Sequence, residues 1–172
     1  MIFLKWLDTI NRIFEKLAGI MLAAMTISIT IQVLARILIS KLDLQINVAW
    51  TEEVARYLMI WMVFVGGALA ARKGRMIAIE TVAQLIPAFA GKILKYVSHL
   101  ISITFYLVVF YIGLEWVSFG GSETAPVTRL PMSILYSSMV VGSLLMTFNT
   151  IGFLVEIIVK KKDILYADIE EI

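Results

Sequence analysis

The chain contains no cysteine. Disulfides, thiolate metal sites and thiol redox chemistry are therefore excluded. It contains a single histidine, His99, so an embedded haem held between two histidines is not supported either. Charge is also scarce. Asp, Glu, Lys and Arg make up 16% of the 172 residues, against 60% hydrophobic residues. A soluble domain of this size could not cover so much apolar surface with so few charges. The net charge of +2 is too small to suggest nucleic acid as a partner. What remains is an integral membrane protein, in keeping with a mean hydropathy of +0.92.

A spanning helix needs about 20 apolar residues. Four segments supply them or nearly do: residues 17–35, 57–71, 96–114 and 130–155. The first follows Lys5, Arg12 and Lys16 and could be mistaken for a signal peptide. It is longer than a signal-peptide core and no small-residue cleavage site follows, so it reads as an uncleaved first span. Period-2 alternation is absent and the apolar runs are too long for strands. The expected fold is all-α with four transmembrane helices.

The basic residues orient the spans. Lys5, Arg12 and Lys16 precede the first. Arg72, Lys73, Arg75, Lys92 and Lys95 lie between the second and third, and Lys160, Lys161 and Lys162 follow the fourth. Only Arg36, Lys41, Arg56 and Arg129 fall on the other side. This asymmetry predicts that both termini face the cytoplasm.

Two stretches look amphipathic rather than spanning. Near the N-terminus, Phe3, Trp6, Leu7, Ile10, Ile13, Phe14 and Leu17 recur at helical spacing, opposite Lys5, Asp8, Arg12, Glu15 and Lys16. This pattern predicts an extension lying at the membrane surface and leading into the first span. Around Glu80 and Gln84, before Pro87, a short cytoplasmic-side helix is expected between spans two and three, with a bend at Pro87. The expected organisation is a four-span domain over residues 1–162 and an acidic C-terminal tail over 163–172.

The span interiors carry no acid or base. A small exporter working alone usually holds one in mid-membrane to bind and couple its substrate. Ser28, Thr30, Gln32, Ser98, Ser102 and Thr104 suit interhelical hydrogen bonds better than a transport site. Small residues form stripes instead. Gly66 with Ala70, and Gly67 with Ala71, are overlapping pairs at a spacing of four. Ser138 with Gly142, and Ser143 with Thr147, continue the pattern on the fourth span. Such stripes admit a close neighbour, either a helix of this chain or one of a partner.

The stretch "AWTEEVARYLMIWMVF", residues 49–64, crowds two acids and an arginine at the head of a span. Residues 57–71 are too few to cross a bilayer, so the helix must take in Val54, Ala55 and Arg56. Thr51 can cap it, acids in its first turn suit the helix dipole, and Trp50 suits the headgroup level. Glu52 and Arg56 are an i, i+4 pair in the favourable order. That accounts for one acid. The other, Glu53, is either a second helix-start residue or a carboxylate turned to a partner or a lipid.

The same stretch, continued to "WTEEVARYLMIWMVFVGGALAARKGRMIAIE", resembles the DctQ-type small membrane subunit of TRAP transporters, the tripartite ATP-independent periplasmic uptake systems. The resemblance rests on Trp50, Glu52, Glu53, Ala55, Arg56 and Trp61, the small-residue run, the basic turn at residues 72–75 and the step at residues 77–80. Pro87, Pro126, Pro131 and Tyr136 also fit. One departure is Met76, where members often carry histidine.

The resemblance implies a large multi-spanning M subunit that holds the substrate and sodium sites, and a periplasmic P protein that delivers a carboxylate or sialic acid. It implies that this chain is a scaffold in the cytoplasmic membrane, neither an enzyme nor a cofactor carrier. Trp50, Glu52, Glu53, Arg56, Trp61, Gly66, Gly67, Ala70 and Ala71 are then the candidates for contact with subunit or lipid. Two other readings remain open: an assembly subunit of a different membrane complex, and a self-sufficient small transporter.

Overall fold

A computed structural model describes residues 2–42, 49–74, 85–161 and 163–165. Four helices account for nearly all of them: α1 (Ile2–Leu42), α2 (Ala49–Arg72), α3 (Ala88–Phe119) and α4 (Ser133–Lys160). Each is long and apolar enough to cross a membrane. At 1.5 Å per residue, α1 is about 60 Å long, roughly twice the hydrocarbon thickness.

The helices stand in a row rather than a square. α1 packs on α2, α2 on α4, and α4 on α3. α1 also meets α4 over a short stretch, whereas α3 makes no contact with α1 or α2 among the described residues. The central helix α4 is therefore the most buried and the outer helix α1 the least. An apolar solvent explains how such a row can stand. Lipid covers aliphatic side chains as well as another helix does, so nothing forces the helices to close around a core.

Local sequence sets the helix ends. α2 does take in residues 49–56. Pro87, with φ −51° and ψ 138°, sits directly before α3 and accepts the Gly91 N–H at 3.0 Å. α3 thus begins eight residues ahead of the apolar run. α4 stops at Lys161, whose φ of 51° turns the chain back. Ile164 then buries itself beside Phe153 and Ile157, and Leu165 is buried as well.

The N-terminal stretch leads directly into the first span, without a break, as part of α1. It also faces the protein through Leu7 and Asn11, both buried, while Trp6 and Ile13 are exposed. The short helix expected between spans two and three lies outside the described residues, as do Met76, the step at residues 77–80 and the tail beyond Leu165.

Candidate interaction sites at the two ends of the helix row

At one end, α2 and the loop between α3 and α4 are tied together. The loop folds on itself through an antiparallel bridge between Thr124 and Pro131. Ala125 N–H donates to the Leu130 carbonyl at 2.8 Å, and Met132 N–H to that of Glu123 at 3.0 Å. Two loop N–H groups are left pointing at α2, and Glu53 accepts both: Thr128 N–H at 2.6 Å and Val127 N–H at 3.4 Å. Glu53 is buried, so its carboxylate is committed inside the chain. Trp61 adds a bond from Nε1 to the Ile134 carbonyl at 3.1 Å, and the Tyr57 hydroxyl meets Met132 Sδ at 3.3 Å.

Glu52 lies on another side of α2, since successive helical residues are about 100° apart. Its carboxylate pairs with Arg56 at 3.4 Å and accepts Gln32 Nε2 of α1 at 3.3 Å. Both side chains of the pair are more than half exposed, and Trp50 is exposed too.

The small-residue pairs divide in the same manner. A Cβ on Gly67 would strike the Met146 methyl of α4, and Ala71 is buried. Gly66 has open space where a Cβ would go, and Ala70 is exposed. On α4, Ser138, Gly142, Ser143 and Thr147 are all buried. A Cβ on Gly142 would meet that of Phe64, so α2 and α4 approach closely there. Of the nine candidates, then, Glu53, Gly67 and Ala71 serve the chain's own packing. Trp50, Glu52, Arg56, Gly66 and Ala70 face outward, with Trp61 between.

The opposite end holds polar groups that the sequence reading passed over. Asn11 and Asn149, 138 positions apart, are both buried and bond amide to amide at 2.7 and 2.8 Å. Asn149 also donates to the Ala68 carbonyl of α2 at 2.6 Å, which joins three helices at one point. Beside them, Arg72 ends α2 between two carboxylates, Asp8 of α1 at 2.8 Å and Glu156 of α4 at 2.6 Å. Lys160 pairs with Glu156, and Lys73 with Glu15 at 3.6 Å. These side chains line a cavity of about 350 Å³. The one legible signal was Asn149, a lone amide within an apolar run.

Under α3, Lys95 is buried and donates to the Ile164 and Leu165 carbonyls at 2.9 and 3.2 Å. Lys92 pairs with Asp163 at 2.8 Å. That bond, with the Leu165 N–H, holds the Asp163 carboxyl below its ordinary pKa. His99 is buried with its ring 5.3 Å from that of Phe153, a packing position.

A family model for the DctQ component of tripartite ATP-independent periplasmic transporters matches residues 25–160. The chain belongs to the DctQ family. It is similar to a Haemophilus influenzae protein, strain ATCC 51907 / DSM 11121 / KW20 / Rd, provisionally named TRAP transporter small permease protein. The two are 28% identical over 142 residues, which cover 80% of this chain and 83% of that relative. A DctQ component is a transporter subunit and not an enzyme. With four apolar helices, this one is a multi-pass membrane protein. The match takes in α2, α3 and α4 entire but begins midway along α1. Asp8 and Asn11 therefore lie ahead of the matched region, and their partners Arg72 and Asn149 lie within it.

Proposed function

We propose that this DctQ chain is the scaffold of a sodium-coupled uptake system for an organic acid, such as a carboxylate or sialic acid. It enlarges and steadies a large M subunit in the cytoplasmic membrane, while a periplasmic P protein delivers the solute. Sodium and solute are held by the M subunit, and this chain needs no cofactor.

The observation that carries this reading is the row of helices. α1 and α3 stand at the two edges of the row, which leaves long apolar faces uncovered among the described residues. Asp, Glu, Lys and Arg gather toward the two ends among the described residues. Such a shape offers apolar area to a neighbour, and the charged cavity beside Arg72 lies at the helix ends rather than at mid-span. The outward part of α2, with Trp50, Glu52, Arg56, Gly66 and Ala70, is the face we assign to partner or lipid. The clustering of Arg72, Lys73, Lys92, Lys95 and Lys160 toward one end supports a cytoplasmic location for that end and for both termini.

The test is purification of this chain with an M subunit, followed by solute uptake in vesicles with the P protein. Uptake should require all three chains and a sodium gradient. Uptake by M and P alone at the full rate would remove the scaffold role. Single cysteines at positions 73 and 161 should label only from the cytoplasm, and one at position 123 only from outside.

A further inference from the structure

The cavity at the Asn11–Asn149 end is not used by the scaffold reading. It lies between the ends of α1, α2 and α4 and measures about 350 Å³. Its floor is set by Arg72 and Glu156, whose side chains are each only 12% exposed. Three carboxylates line it: Asp8, Glu15 and Glu156. Four cations face them: Arg12, Arg72, Lys73 and Lys160. The lining therefore carries one positive charge in excess. The ion pairs identify which. Arg72 is held by Asp8 and Glu156, Lys160 by Glu156, and Lys73 by Glu15. Arg12 has no ion pair among the described residues and stands exposed at the mouth.

We propose that this cavity receives a singly charged phosphate group, supplied by an anionic lipid of the adjoining leaflet. The chemistry matches on two counts. A phosphodiester carries the one negative charge that the lining lacks. The guanidinium of Arg12 presents paired N–H donors suited to phosphate oxygens. Fixed ion pairs around the free arginine keep the other charges from competing for the ligand. A lipid held there would press on α1, the least buried of the four helices.

The experiment is native mass spectrometry of the full-length chain in detergent. Phosphatidylglycerol is titrated against phosphatidylethanolamine, whose headgroup carries no net charge, and against inorganic phosphate. Phosphatidylglycerol should bind more tightly than phosphatidylethanolamine. Arg12→Gln should weaken phosphatidylglycerol about tenfold, the loss expected for one charge-assisted contact. Arg12→Lys should recover part of the loss, and Lys5→Gln, outside the cavity, should change nothing. Arg12 is exposed, and an unchanged melting temperature in Arg12→Gln would exclude misfolding as the cause. Equal binding of phosphatidylglycerol by the parent and by Arg12→Gln overturns the proposal. Binding of inorganic phosphate that depends on Arg12, without binding of lipid, upholds the phosphate site and overturns the lipid source.

Discussion

Asn11 and Asn149 face each other amide to amide, and each donates to the oxygen of the other. Neither amide is left wanting, because Asn11 also reaches the Leu7 carbonyl and Asn149 the Ala68 carbonyl. Such a pair fixes the depth at which α1, α2 and α4 meet. A slide of α4 by one turn would strand three buried polar bonds between helices.

The cost of breaking this pair depends on what is left behind. Asn149→Leu should destabilise the chain by about 1–3 kcal/mol, because Asn11 then keeps a buried amide without its partner. Asn11→Leu combined with Asn149→Leu should be milder than the Asn149→Leu single variant. Thermal unfolding in detergent of both single variants and the double variant checks the order. A double variant worse than the sum of the singles would mean that packing, not hydrogen bonding, holds this point.

The two neighbouring acids of α2 should separate cleanly. Glu53→Gln keeps one acceptor oxygen but loses the charge that gathers two N–H groups. Hydrogen exchange at Val127 and Thr128 should therefore speed up. Glu52→Gln should leave those amides protected, because its partners are Arg56 and Gln32. As an exposed pair, Glu52 and Arg56 contribute well under about 1 kcal/mol. Unchanged exchange at Thr128 in Glu53→Gln would show that the loop is held by its own bridge.

The glycines should rank by what stands opposite them. Gly142→Ala should already be harmful, since the Cβ would meet Phe64 close to its backbone, where nothing can swing aside. Gly67→Ala should be mild, because the atom in the way is the flexible end of Met146. Gly67→Leu should cost about 1–3 kcal/mol through overpacking. Gly66→Leu should leave the isolated chain as stable as the parent, since nothing stands nearby. Thermal melts of the four variants give the ranking. Co-purification of Gly66→Leu with the M subunit then asks separately whether that face is covered in the complex.

Acid should release the segment after α4 late. The folded pKa of Asp163 lies below its unfolded value, with Lys92 as the main cause. The contribution of this pair is therefore complete above the ordinary aspartate range and is lost as pH falls through the depressed value. Exchange at the Leu165 amide should stay slow through the ordinary aspartate range and rise only below it. Asp163→Asn should abolish that dependence. A rise centred on the ordinary aspartate pKa would show that Lys92 does not hold the carboxylate.

Hydrophobic runs and the placement of Lys and Arg carried a good deal by themselves. Four spans and the helix start ahead of Arg56 follow from the length an apolar solvent demands of a hydrogen-bonded backbone. The absence of acids and bases in mid-span pointed to a subunit without a solute site of its own. The motif around Trp50, Glu52, Glu53 and Arg56 pointed to the DctQ family, which the family match supports.

Which residue faces which neighbour was decided only by the tertiary structure. In water an amphipathic pattern marks the buried side of a helix. In a membrane, lipid and protein core are equally apolar, and the pattern vanishes. Nothing in the sequence told Gly66 from Gly67, about 100° apart around α2, and the pairing of Glu52 with Arg56 left the partner of Glu53 open. The spare carboxylate could be assigned only once the chain between Thr124 and Pro131 had folded back over it. Asn11 and Asn149, at opposite ends of the sequence, became a pair only because the row of helices brings α1 against α4 at that one level.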